Sequence, residues 1–439
     1  MEQRDRKQEL HLAGFAIALV AVSLAATWVG LSGTWVSDDW HMVNNYLYGD
    51  WAELGAVFRR NAAYYLFTED QAGPYRPITM LTLLGTHLLA PAPWLHHLVS
   101  WLLHVATSLL LFAVLRQQID SRNVGGPLVT SVAAGLAGLF FLHPAAVEAY
   151  VWINGRSDLV AGFWLVALVF ALNLDRAPTS KPAVDVVLVA VITFLGAGSK
   201  LPFVLAAGAA WLAWALRTRS SRRVTYGIAI VVAIAAHAAL RSAFAPFAGS
   251  LGSGDDVLLD SGVWATLPKL FAQAAVSLAF FRAEAMRSLS WVLLGPWTPI
   301  DVLAFVAVLL AGTWLLWKRD RPGVVYFGGA LATLAPVVIV SRSFWMGFDR
   351  YLYMPSVLLL LAAGPHVLST VQRMRRPIAA SVVVALLLVA SVQTHRASGT
   401  YASQSAHDQA LLRDHPEDPS VHYYLARAAN RSGDRSALR

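Results

Sequence analysis

The sequence predicts an all-α integral membrane protein that crosses the bilayer about eleven times, and three observations carry that reading. Of its 439 residues 57% are hydrophobic and only 14% charged, with a mean hydropathy of +0.53, more apolar than a soluble domain of this size. The apolar residues fall in runs of spanning or near-spanning length, at 11–33, 94–115, 127–142, 157–174, 183–199, 201–216, 224–245, 300–317, 324–341, 352–371 and 377–394. The basic residues gather in short segments between alternate runs, as orientation in a membrane requires.

The first run, 11–33, is long enough to span and has no small-residue cleavage pattern, so it reads as a retained anchor rather than a signal peptide. Arg4, Arg6 and Lys7 precede it; Arg116 and Arg122 follow the second run, Arg176 and Lys181 the fourth, and Arg217, Arg219, Arg222 and Arg223 the sixth. Lys318, Arg319 and Arg321, then Arg373, Arg375 and Arg376, continue the alternation if the stretches 77–90 and 262–281 do not cross. Those two are short or interrupted by Pro268 and Lys269, and are expected to lie in the interface or to dip in and return. The N-terminus is then inside, and the opposite face receives the loop 34–93, the segment 143–156, Lys200, the loop 246–299, the segment 342–351 and the tail after 394.

The net charge of +8 is accounted for by the orienting clusters, so no nucleic-acid partner is expected. Cysteine is absent, which excludes disulfides and thiolate chemistry. Residues 1–396 form the membrane domain, and 397–439 a polar tail with apolar residues at helical spacing and a "HPEDP" turn between two candidate helices. The tail is similar to one tetratricopeptide-type unit, which cannot bury its own face and must lean on the membrane domain or a partner.

Polar residues on the outer face collect in four loops: Asp38 and Asp39; Tyr75 and Arg76 in "GPYRP"; His143, Glu148, Trp152, Asn154, Arg156 and Asp158 in "FFLHPAAVEAYVWINGRSDL"; and Asp349, Arg350, Tyr351 and Tyr353 in "GFDRYLYMPS". Ionisable groups at this depth cost several kcal/mol unless they are paired or line a wet cavity. A lone carboxylate at a span end is ordinary, but two adjacent ones repel, so keeping Asp38 and Asp39 together calls for a cation, a divalent metal or a general base of raised pKa. Asp39 is preferred as the base by a small margin, being one residue further from the apolar run. Arg156, Lys200 and Arg350 break the inside bias of basic residues. Binding an anion explains them better than snorkelling, and an outward-facing cation suits a lipid phosphate or pyrophosphate whose chain lies in the bilayer. His87, His96, His97 and His104 are read as packing and interhelical hydrogen bonding rather than as a metal site. The acidic pair in "GSGDD" at 252–256 is read as flexible loop, and the tryptophans near span ends as interfacial anchors.

The order "DDW…NN", "YRPITMLTLLGTHLL", "HHLVSWLLHVATSLLLFAVL", "FLHPAAVEAYVWINGRSDLVA", "GSK", "DRYLYMPS" and a tetratricopeptide-like tail resembles the transmembrane and tetratricopeptide repeat-containing O-mannosyltransferases and their bacterial relatives, of the GT-C glycosyltransferase superfamily. The resemblance implies a GT-C-type helical bundle with outer juxtamembrane helices. It implies an enzyme of a cell inner membrane, with the N-terminus cytoplasmic and the tail periplasmic, that moves a sugar from a polyprenyl-phosphate carrier to a glycan, lipid or protein acceptor by one inverting displacement. An acidic residue of the first outer loop would be the base, which maps onto Asp38 or Asp39. Basic residues would hold the donor phosphate, which maps onto Arg76, Arg156, Lys200 or Arg350, with Tyr75, His143, Glu148, Asp158, Asp349 and Tyr351 in support.

Two departures bear on the acceptor. Leu201 follows Lys200 where relatives usually have Glu, and the tail holds about one repeat where relatives have many, which favours a small or lipid-linked acceptor or a protein delivered by a partner. A transporter or flippase for lipid-linked saccharides would show charges buried mid-span in both halves and an internal repeat, and the sequence has neither. A non-catalytic scaffold does not account for the aspartate pair and Arg156.

Overall fold

The computed structural model describes residues 2–37, 39, 57–59, 74–120, 126–174, 181–244, 264–282, 293, 295–340, 348–419, 421–423 and 425–426. Asp38, the rest of the loop up to residue 73 apart from 39 and 57–59, and residues 427–439 lie outside them.

Every secondary-structure element among the described residues is a helix, without strands. The helices are α1 (Glu2–Leu31), α2 (Pro77–Leu89), α3 (Pro93–Asp120), α4 (Pro127–Phe141), α5 (Pro144–Tyr150), α6 (Arg156–Asn173), α7 (Pro182–Ala197), α8 (Phe203–Arg217), α9 (Arg223–Phe244), α10 (Leu267–Ala279), α11 (Pro299–Trp317), α12 (Arg321–Leu334), α13 (Tyr353–Val371), α14 (Arg376–Gly399) and α15 (Gln404–Asp414). A single helical turn, Val337–Val340, follows α12, and short 3-10 turns at Ile153–Gly155 and Asp349–Leu352 lead into α6 and α13. Proline opens α2, α3, α4, α5, α7 and α11, at a position where its missing N–H costs nothing and its fixed φ suits the helix.

Among the described residues seven helical stretches are long and apolar enough to cross a membrane: Ala13–Leu31, Pro93–Asp120, Ile153–Asn173, Arg223–Phe244, Pro299–Trp317, Asp349–Val371 and Arg376–Gly399. An eighth is reached if α4 and α5, bent by 59° at their junction, count as one span. The other expected spans form shorter helices, because the chain breaks within or beside each run: at Pro144 after α4, at Pro202 between α7 and α8, and at Pro336 after α12. A helix of 16 residues such as α7 reaches about 24 Å, short of a hydrocarbon core about 30 Å thick. Beyond the bend, α5 is buried along its whole length.

At the centre stands α6, packed on α3, α7, α8 and α13. Of its span 78% is buried, against 17% for those of α11 and α14. Those outer helices present Val, Leu and Ile outward, as lipid-facing helices do. Around α6 the bundle closes through α8 against α12, α12 against α13, α7 against α9, and α1 against α14.

The tail packs on the bundle. Tyr401, Ala410, Leu411 and Val421 join the same buried core as α3, α4 and α6. Thr34 N donates to Ala402 O at 3.3 Å, and Ser37 N to Gln404 Oε1 at 2.8 Å. The division expected at residue 397 falls inside α14.

Gly33 is where this contact is tightest: a Cβ there would lie 2.5 Å from Tyr401 O and 2.8 Å from Gly30 O. Gly33→Ala is expected to destabilise the protein by about 1–3 kcal/mol and to speed protease cleavage beyond residue 399; thermal melting and timed proteolysis of the detergent-solubilised chain check this.

Candidate functional site

The polar loops meet at one end of the bundle, and the turn Trp152–Asp158 touches all of them. This turn links α5 to α6 and is tight enough that a Cβ on Gly155 would fall 2.1 Å from Glu148 O, so only glycine fits. Successive residues then face different neighbours. The Arg350 guanidinium lies over the Trp152 ring at 4.5 Å. Asn154 N donates to Asp39 Oδ1 at 3.0 Å, Ser157 Oγ accepts from Arg76 at 3.2 Å, and Asp158 pairs with Lys200.

Arg156 points into the bundle and is fully buried. Its Nε donates to Ser100 Oγ at 2.9 Å, one terminal nitrogen to Thr82 O at 3.2 Å and Thr86 Oγ1 at 3.0 Å, and the other to His96 O at 2.7 Å, with His96 Nδ1 at 3.4 Å. A guanidinium has five N–H donors, and here each faces a protein acceptor on α2 or α3.

Arg76, Lys200 and Arg350 gather on the other side of the turn, from three distant parts of the chain. Lys200 Nζ sits 4.1 Å from the centre of the Tyr351 ring, and the Arg350 guanidinium 5.1 Å from the same ring, donating to Tyr351 Oη at 3.4 Å. The Arg350 Nε is buried with no hydrogen-bond partner among the described residues. A buried donor left unmet costs about 1–3 kcal/mol unless a ligand satisfies it. Lys200, in the turn between α7 and α8, has its pKa lowered to about 7: burial is the main cause, Arg76 and Arg350 add to it, and the Asp158 carboxylate opposes it.

The carboxylates take different surroundings. Asp39 is buried; its Oδ2 accepts from Val36 N at 3.2 Å and its Oδ1 from Asn154 N. Glu148 Oε2 accepts from the backbone N of Arg350 at 3.1 Å, and burial, reinforced by Asp349, pushes its carboxyl up to about 8. Asp349 Oδ1 accepts from Ser277 Oγ at 3.3 Å. His143 caps α5 by accepting from Ala145 N at 3.1 Å, and its other ring nitrogen meets Leu278 O at 3.0 Å. Tyr75 lies to the side, its hydroxyl donating to Phe58 O at 2.9 Å and its ring 5.5 Å from His237. Among the described residues no three His, Asp or Glu side chains converge as metal ligands.

Four contributors have no local sequence signal. Tyr401, from the tail, is buried within electrostatic reach of Glu148, Asp349, Arg350 and Asp39, and burial chiefly raises its hydroxyl pKa. Ser100 and Thr86 meet Arg156 with hydroxyls and Thr82 with its carbonyl, all inside apolar helices, and only this shared contact reveals their role.

No family model matches this chain. It is similar to the human protein O-mannosyl-transferase TMTC3, 30% identical over 125 residues, which is 27% of this chain and 13% of that protein. The mouse protein of the same name is 29% identical over 108 residues, 24% of this chain and 11% of the relative. The matched part of the chain thus spans about an eighth of the length of these curated relatives, and it supports a distant relationship to them.

The two buried arginines should behave oppositely on truncation. Arg156→Ala leaves several acceptors unmet and is expected to lower stability by about 3 kcal/mol or more, whereas Arg350→Ala should change the melting temperature little. Thermal unfolding of both variants in one detergent checks the contrast.

Proposed function

We propose that the chain is a membrane glycosyltransferase of the GT-C type, which moves a sugar from a polyprenyl-phosphate donor to an acceptor hydroxyl on the outer, periplasmic side of an inner membrane. What carries the reading is the Arg350 guanidinium, stacked on Trp152 and Tyr351 with its Nε unmet, beside Lys200 and Arg76. An anionic phosphate supplies the acceptor that the Arg350 Nε lacks, and guanidinium binds phosphate in a fork. Leu201, next to Lys200, is 61% exposed, an apolar edge along which a lipid chain would lie. The similarity to the O-mannosyl-transferases supports the same class of reaction.

In this reading the acceptor oxygen forms a bond to the anomeric carbon while the bond from that carbon to the phosphate oxygen breaks. The lipid phosphate leaves with the electron pair, stabilised by Arg76, Lys200 and Arg350. The acceptor proton passes to a carboxylate of the Asp38–Asp39 pair. We assign the proton to Asp38, because both oxygens of Asp39 already accept backbone N–H groups and fix the loop to the Trp152–Asp158 turn. Arg156, with its donors spent on α2 and α3, holds that turn and not the phosphate.

Purified chain should transfer sugar from a polyprenyl-phosphate-linked donor, and mass spectrometry of membrane glycoconjugates from cells with and without the gene reads sugar and acceptor together; identical glycoconjugates would overturn the reading. Asp38→Asn is expected to abolish transfer with an unchanged melting temperature, and Asp39→Asn to lower both. Arg350→Ala should weaken donor binding about 10- to 100-fold, the loss of one charge-assisted fork. Donor affinity should hold below pH 7 and fall as pH rises through about 7, where Lys200 loses its proton; Lys200→Arg, which keeps its charge, should flatten that profile.

A further inference from the structure

At the far end of the bundle a pocket of about 560 Å³ opens between the α11–α12 turn and the last turns of α13. It is lined by Trp314, Lys318, Arg319, Asp320, His366 and Arg373, among others. Helix α13 and the turn before it join the two ends of the molecule: the sixteen steps from Arg350 to His366 span about 24 Å at 1.5 Å each. No group of this pocket takes part in the site described above.

The pocket's carboxylate is already engaged. Asp320 Oδ1 accepts from Gly323 N at 3.2 Å, capping α12, and its Oδ2 pairs with His366 Nε2 at 2.8 Å. Lys318, Arg319 and Arg373 therefore leave the cavity with an excess of positive charge.

The turn itself places a charged side chain where glycine is usual. Arg319 N donates to Leu316 O at 2.9 Å and Asp320 N to Leu315 O at 3.2 Å, the two bonds of a Schellman motif. Arg319 occupies its left-handed position with φ 54°, a conformation that favours glycine. An arginine there accepts backbone strain and in return puts a guanidinium at the pocket. Beside it, Leu316 is 63% and Trp317 73% exposed, an apolar surface continuous with the lipid-facing side of α11.

We propose that this pocket binds the phosphate headgroup of an anionic membrane lipid, with Lys318, Arg319 and Arg373 as phosphate ligands and the exposed face of α11 as the seat of its acyl chains. Basic pockets between spanning helices on the cytoplasmic side recognise such headgroups, and the alternation of basic clusters assigns this end of the bundle to the cytoplasm. A free phosphate would share the ionic contacts but not the apolar seat.

The test is native mass spectrometry of the full chain released from vesicles of equal phosphatidylglycerol and phosphatidylcholine. The wild type is expected to retain phosphatidylglycerol preferentially, and Arg319→Gly and Arg373→Gln each to cut that retention about fivefold, as one lost cation predicts. Arg319→Gly relieves the left-handed strain, so its melting temperature should be equal or higher, which separates lost binding from lost folding. Arg376→Gln, a neighbouring basic residue outside the pocket, is the control and should leave retention unchanged. Unchanged retention in both pocket variants, an equal loss in the control, or complete displacement by soluble glycerol phosphate at millimolar concentration would each overturn the proposal.

Discussion

Each N–H of a guanidinium buried in a helical bundle costs about 1–3 kcal/mol if left unmet, and the way Arg156 meets all of its own organises the rest of this protein. Its acceptors come from Thr82 and Thr86 on α2 and from His96 and Ser100 on α3. Those two helices are thereby tied to the start of α6, the helix around which the bundle packs. Fixing Arg156 also fixes the residues on either side of it. Asn154 then reaches Asp39, Ser157 reaches Arg76, and Asp158 reaches Lys200. One saturated cation in the core sets the positions of the other cations beside it.

The contrast between Arg156 and Arg350 separates structure from chemistry. Both are buried and both sit at the start of a spanning stretch. Arg156 lies among hydroxyls and carbonyls that consume its donors. Arg350 lies against the flat faces of Trp152 and Tyr351, which hold a guanidinium by cation–π attraction and leave its Nε uncommitted. Aromatic walls keep a cation in place without neutralising it, which is the condition for receiving an anionic ligand.

The broken helices serve the same end. Prolines at 144, 202 and 336 interrupt apolar runs that would otherwise continue, and two of the breaks lie next to Glu148 and Lys200. Backbone freed from helical bonding at membrane depth is tolerated where protein surrounds it, and the turns made this way carry side chains inward. The tail contributes through the same packing: Tyr401 follows directly on α14 and is buried near Glu148 and Asp349, so the last part of the chain helps to close the site.

Composition and the spacing of apolar runs were enough to determine a helical membrane protein, because burying apolar surface in lipid needs only run length and few charges. The loops rich in carboxylate and arginine were legible for the same reason: charges placed against the inside bias of Lys and Arg stand out at Arg156, Lys200 and Arg350. The number of full spans was less so, since a proline at the edge of an apolar run, as at Pro202, shortens a helix without altering the hydropathy of the run. The division of labour among the cations was decided by tertiary structure alone. Whether a guanidinium is spent on the fold or left for a ligand depends on acceptors brought to it from 56 to 74 residues away, as they are for Arg156, and hydrogen-bond partnership across that distance has no local pattern in the chain.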